Sequence, residues 1–146
     1  MSTRSHRLLA IAALLSACTS VKVKPVDPSM GVKHVCIENN PKVVVGDFLP
    51  VVRDGFTRHG ITTEVYSPNA PAVPDGCQLI LKYTALQSWD LTTYLSHAEL
   101  TLQTPDGTQV ASAEYHLVGK GGYALTKFQG TKTKMDPVID ELLKGY

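Results

Sequence analysis

The sequence predicts an α+β fold: a two-layer sandwich of element order β-α-β-β-β-β-α, with a mostly antiparallel sheet and two helices on one face. Three observations predict it. Between residues 78 and 118, three runs alternate apolar and polar residues with period two, the pattern of strands buried on one side only. The segments from Asp47 to Gly60 and from Asp136 onward repeat apolar residues at helical spacing. Between the last two alternating runs, Thr104-Pro105-Asp106-Gly107-Thr108 supplies the turn chemistry of an antiparallel hairpin. One-sided strands need a covering layer, and two amphipathic helices provide it.

Taken in order, Lys33 to Glu38 reads as the first strand, and Asn39-Asn40-Pro41 ends it. The helix from Asp47 places Phe48, Val51, Val52, Gly55, Phe56 and His59 on one face. Pro50 must lie in its first turn, Asp47 or Gly46 caps it, and Gly60 ends it as a left-handed cap. Ile61 to Tyr66 is short and β-branched, a second strand, and Ser67 to Gly76 with Pro68, Pro71 and Pro74 is a surface loop. Gln78 to Ser88 then presents Leu79, Leu81, Tyr83 and Ala85 on one face. Tyr94 to Gln103 presents Tyr94, Ser96, Ala98, Leu100 and Leu102, and Gln109 to Val118 presents Ala111, Ala113, Tyr115 and Leu117. Asp106-Gly107 suits a two-residue type I′ turn. Gly119 to Gly130 is Gly-rich and irregular; Gly119-Lys120-Gly121-Gly122 leads into no helix, so it reads as a mobile loop in preference to an anion-binding nest. Asp136-Pro137 serves as N-cap and N1 of the last helix, with Val138, Ile139, Leu142 and Leu143 inward.

The N-terminal stretch has a different character. Arg4 and Arg7 precede an apolar run, Leu8 to Leu14, which is shorter than the roughly 20 residues a spanning helix requires. It closes on Leu15-Ser16-Ala17-Cys18, which resembles the lipobox of bacterial lipoproteins. The resemblance implies diacylglycerol on the Cys18 sulfur, cleavage before Cys18 and a third acyl chain on its amine. It also implies outer-membrane sorting with the domain facing the periplasm, because Thr19 is not the aspartate that retains lipoproteins at the inner membrane. An ordinary signal peptide with an incidental Cys18 is the alternative. The expected organisation is a signal peptide over 1–17, a flexible tether over 18–32 containing Pro25, Pro28 and Gly31, and one periplasmic domain over 33–146. In element order alone, the chain also resembles LptE-like periplasmic assembly lipoproteins and the small N-terminal domain of TolB.

Charge narrows the partners. Arg4 and Arg7 are two of 14 Lys and Arg residues and no acidic residue precedes Cys18, so the remainder carries 12 basic against 13 acidic groups. That balance gives no reason to expect nucleic acid. The expected partners are the membrane, through the anchor, and an envelope protein. Beyond Cys18, Cys36 and Cys77 can pair only with each other or stay free. Both open strand-like runs, and a disulfide is reasonable if those strands are neighbours.

Chemical signatures are few. No Gly-x-Ser-x-Gly, His-Glu-x-x-His, Walker or Cys-x-x-Cys sequence occurs. If Asp106 and Gly107 form the turn, Glu99 faces Glu114 and His97 faces His116 on the polar side of the sheet. Two imidazoles and two carboxylates there could hold a divalent metal, zinc for preference, or form a solvated or partner-facing polar surface. Trp89, with Asp90, Leu91 and Tyr94, crowds the turn between the third and fourth strands as a lid on the core edge or as an interface anchor. Lys120, Lys127, Lys132 and Lys134 read as a mildly basic, solvated approach to the last helix. His34 and His59 read as structural. The expectation is a lipid-anchored binding or accessory module without cofactor or catalysis; the alternative is a metal-binding protein or metal-dependent hydrolase using His97, Glu99, Glu114 and His116.

Overall fold

The computed structural model describes residues 19–146; the expected signal peptide and the lipidation site Cys18 lie outside the described residues. From His34 onward the element order is the expected one. β2 (His34–Glu38), α1 (Phe48–Arg58), β3 (Thr62–Tyr66), β4 (Leu79–Trp89), β5 (Thr93–Gln103), β6 (Gln109–Leu117) and α2 (Thr131–Leu142) form a two-layer α+β domain with a single core cluster. The six strands lie in the order β1-β6-β5-β4-β2-β3. The β1–β6, β6–β5 and β5–β4 pairs are antiparallel, whereas β2 runs parallel to both its neighbours, β3 and β4. Val35, Cys36 and Ile37 of β2 are fully buried, as a parallel strand between two others requires.

The first correction concerns the tether. Thr19–Lys24 is β1, an edge strand with Thr19 opposite Leu117 and Lys24 opposite Ser112. Val26 and Val32 are buried in the core, the Val26 N–H donates to Leu142 O at 2.9 Å, and the Tyr146 hydroxyl donates to Asp27 O at 2.8 Å. Residues 19–32, expected as a flexible tether, are therefore part of the folded domain. β1 is short and its outward positions are Ser20, Lys22 and Lys24, the charged dressing that keeps an edge strand from pairing further. That dressing dilutes the apolar alternation to Val21 and Val23.

α1 matches its expected face: Phe48, Val51, Val52, Gly55 and Phe56 are buried. Gly55 is required by packing, because a Cβ there would lie 2.7 Å from Ile139 Cγ2 of α2. Gly60 adopts φ 72°, the expected left-handed cap. Asp47 does not cap with its side chain; its carboxylate accepts from the Thr131 hydroxyl at 2.8 Å and ties the starts of the two helices together.

α2 starts five residues before Asp136, and Pro137 lies inside it. Its inward face is Thr131, Lys134, Met135, Val138, Ile139 and Leu142, a 3.6-residue period whose first turn is polar. Apolar periodicity alone therefore begins at Met135, one turn late. The hairpin differs too. Thr104 to Thr108 form a five-residue loop in which Gly107 N–H donates to Thr104 O and Thr104 N–H to Thr108 O, with Gly107 at φ 92°. Gln103 pairs with Gln109, and a bulge then sets Leu102 opposite Ala111.

Cys36 and Cys77 are joined by a disulfide, with Cα atoms 5.4 Å apart, at the junction of the neighbouring strands β2 and β4.

Candidate functional site

The bulge restores the register that a two-residue turn would have produced, so Glu99 stands opposite Glu114 and His97 opposite His116. These side chains project from β5 and β6 on the face away from the helices, since alternate residues Ala98, Leu100, Ala113 and Tyr115 are in the core. His97 Nδ1 is 3.3 Å from His116 Nδ1, and the rings meet edge to face. His97 Nε2 lies 2.9 Å from Glu99 Oε1, so the carboxylate can accept its proton and fix the ring. Glu114 is flanked by Glu99 on one side and by Lys22 of β1 on the other. Lys22 supplies a cation beside the facing carboxylates. A concavity of about 730 Å³ runs along this face, lined by Leu86, Gln87, Ser96, His97, His116 and Lys120 among others.

The geometry brings the two imidazoles together and attaches Glu99 to the far nitrogen of one of them. Two nitrogens about 3.3 Å apart match two ligands of one tetrahedral ion with bonds near 2.0–2.1 Å. A carboxylate behind the first ring is the usual outer partner of a metal-binding histidine. A second cluster joins His34, Cys36 and Glu64, whose ligand-type atoms lie within 4.8 Å of one another. The Cys36 sulfur is held in the disulfide, so this set lacks its thiolate. Sequence reading misses it because only the parallel β2–β3 register sets Cys36 opposite Glu64.

The fold is shared with a PelC dodecamer subunit. That protein, from Paraburkholderia phytofirmans, superposes with a TM-score of 0.57 at 12% identity, covering 85% of this chain and 98% of that one. A PDZ domain protein from Parabacteroides distasonis (TM-score 0.44, 8% identity, 88% of this chain and 38% of that one) and a minor lipoprotein from Acinetobacter baumannii (TM-score 0.33, 16% identity, 77% and 87%) superpose too loosely to carry an argument. No family model and no curated protein matches the chain.

The turn between β4 and β5 separates the two residues that sequence alone put together. Tyr94 is buried: its hydroxyl donates to Lys120 O at 2.9 Å and its ring meets Phe128 edge on. It is a core-edge residue. Trp89 stands out in solvent. Two lysines expected in solvent are instead 7% (Lys127) and 6% (Lys134) exposed. Lys127 Nζ donates to Asp90 Oδ2 at 2.5 Å and to Gly122 O at 2.7 Å. Lys134 Nζ donates to Leu95 O at 2.9 Å and to Lys127 O, and burial pushes its pKa down to about 8. Together they bind the β4–β5 turn, the Gly-rich segment and α2 into one unit. The Gly-rich segment is a defined left-handed turn, with Gly119 and Lys120 both at φ 56°. Long polar side chains give no apolar signal, so periodicity could not find this clamp. His59 is structural as expected: its Nε2 lies 2.8 Å from Asp140 Oδ1 at the end of α1. Burial raises the Asp140 pKa, but hydrogen bonds from His59 and Arg58 outweigh it and hold the carboxyl below its ordinary value.

Proposed function

We propose that the protein is an outer-membrane lipoprotein whose α+β domain is a periplasmic binding or accessory module in envelope assembly or maintenance. The observation that carries this reading is the seam between the lipobox and the fold. Cys18 directly precedes Thr19, the first residue of β1, so an acylated Cys18 attaches the domain to the membrane without a spacer. Acyl chains contribute about 0.8 kcal/mol per buried methylene, which makes a two- or three-chain anchor durable. No described helix is long and apolar enough to cross a membrane. The neighbour of similar fold is a dodecamer, which makes further copies of this chain the first partner to seek.

The test is fractionation of cells carrying the wild-type chain or Cys18→Ser, followed by pull-down and native mass measurement of the solubilised protein. Wild type in the outer-membrane fraction, with Cys18→Ser released, is the expected result. Wild type recovered in the soluble fraction would end the reading. Recovery of a stoichiometric protein, or of a defined oligomer, identifies the accessory role.

The His97–His116 spacing favours a second reading, a divalent-metal site on the open sheet face. Titration of the chelated protein with Zn²⁺ tests it: stoichiometric uptake lost in His116→Ala supports the site, and equal uptake by both proteins refutes it.

A further inference from the structure

Six large apolar side chains are exposed at one end of the sheet, where β4 turns into β5 and β6 runs into the left-handed turn: Leu86, Trp89, Leu91, Val118, Tyr123 and Leu125. The other exposed large apolar residues described, Val21, Met30, Val44 and Val73, lie singly in other segments. Isolated exposures of that kind are ordinary, whereas a cluster calls for an occupant. Exposure is 76% for Trp89, 85% for Leu91 and 80% for Leu125, and Tyr123 is fully in solvent.

These side chains are held outward by the clamp. One ammonium, Lys127 Nζ, binds both Asp90 and Gly122, so Trp89 and Leu91, which flank Asp90, emerge beside Tyr123, which follows Gly122. Part of the backbone of this end pairs with itself. Asp90 N–H donates to Thr92 O, Gly122 N–H to Gly119 O, Ala124 N–H to Gly121 O and Lys127 N–H to Ala124 O. Those four donors can approach an apolar medium without being orphaned, and the rest stay at the depth of the headgroups, where polar partners are at hand. Asp90, the carboxylate within the patch, is paired with Lys127, and the exposed Lys120 lies in the left-handed turn, lining one concavity with Leu86.

The position of the chain entry indicates the occupant. Thr19 pairs with Leu117, so the described residues start beside the last residue of β6, next to Val118. We propose that this end of the domain docks on the phospholipid bilayer, with Trp89, Leu91, Tyr123 and Leu125 seated at the level of the headgroups and upper acyl chains. The proposal rests on the lipoprotein reading for its orientation: acyl chains on Cys18 enter the bilayer beside the patch, with no spacer to carry it away. Trp and Tyr suit that depth because each joins an apolar ring to a polar tip, and Lys120 faces the anionic surface. The strands of the meander then stand up from the membrane. The Thr104–Thr108 hairpin is their far tip, and the His97–His116 concavity, which Leu86 also lines, adjoins the docked end.

Trp89 is the only tryptophan of the chain, so its fluorescence reports this patch alone. The experiment places the full lipidated protein on vesicles of phosphatidylethanolamine and phosphatidylglycerol, with or without brominated acyl chains. A Leu91→Ser/Tyr123→Ser/Leu125→Ser variant, altered only at exposed positions, is compared. Docking predicts emission at shorter wavelength, quenching by the brominated chains and a severalfold loss of quenching by aqueous iodide. The triple variant should still float with the vesicles yet return Trp89 to the emission of an exposed indole. If wild type floats while Trp89 stays at long wavelength and open to iodide, the anchor stands and the docking is overturned. If wild type carries no lipid and does not float, the lipoprotein reading fails. Docking then survives only if mixing with vesicles still shifts Trp89, and falls if it does not. A shift that grows with protein concentration in the absence of vesicles assigns the patch to a second copy and overturns lipid docking.

Discussion

At one end of the β4–β5–β6 meander, Thr104 to Thr108 close a hairpin with bonds no more than four residues apart; at the other, Lys127 reaches Asp90 across 37 positions and Lys134 reaches Leu95 across 39. The hairpin end is polar and self-contained: the Thr104 hydroxyl donates to Thr108 O and to Asp106, and the Thr104 hydroxyl oxygen accepts from Thr108 N–H. The Thr104 hydroxyl and the Thr108 N–H, both donating to Asp106 Oδ1, hold its carboxyl below its ordinary pKa. The clamped end spends two buried ammonium groups on backbone carbonyls and a carboxylate, and leaves large apolar side chains outside. A protein minimising exposed apolar surface would fold those side chains inward. Holding them out at the end nearest the chain entry is what separates a docking end from a free tip.

The comparison can be broken most sharply at Lys127. Lys127→Ala removes the group that joins Asp90 to Gly122, leaves both without that partner, and should cost about 2 kcal/mol in urea denaturation. Amide exchange should accelerate over 89–95 and 118–128 while the Thr104–Thr108 hairpin keeps its protection. Equal acceleration at both ends would erase the distinction. Lys134 gives the next effect. Its folded pKa of about 8 lies below its ordinary value of 10.5, so between those values the unfolded chain binds the additional proton. Stability should therefore rise with pH through that window, by about 2 kcal/mol allowing for partial solvation, and this contribution should be flat below it. Thermal melts from pH 7 to 10.5 check the rise, which Lys134→Met should remove. At the other end, Thr104→Val should cost about 1 kcal/mol, confined to hairpin exchange rates. The smallest change has the opposite sign: Lys120→Gly relieves a left-handed side chain and should stabilise by about 0.5 kcal/mol in the same denaturation assay.

Legibility in the sequence follows the same division. α1 could be read to within a residue because its face is apolar and its ends carry Asp47 and Gly60. The facing of His97 with His116 was legible through hairpin arithmetic, although the turn is a five-residue loop and a bulge supplies the compensating residue. The start of α2 was hidden because Thr131 and Lys134 occupy core-facing positions. β1 was hidden because its lysines point outward and Pro25 follows at once. The parallel placement of β2 between β3 and β4 leaves no local trace, since pairing partners far apart in sequence are chosen by packing.

By itself the sequence determined the α+β class, the strands from residue 34 onward and the first helix, and it limited Cys36 and Cys77 to pairing with each other or staying free. Each of these rests on periodicity, turn chemistry or a count of thiols. Only the tertiary structure decided that the segment after Cys18 is an edge strand, that two lysines are interior and that Trp89 points out while Tyr94 points in. Those choices depend on where a long amphipathic side chain finds a carbonyl or carboxylate once the chain is folded. A lysine's sequence neighbours do not encode that.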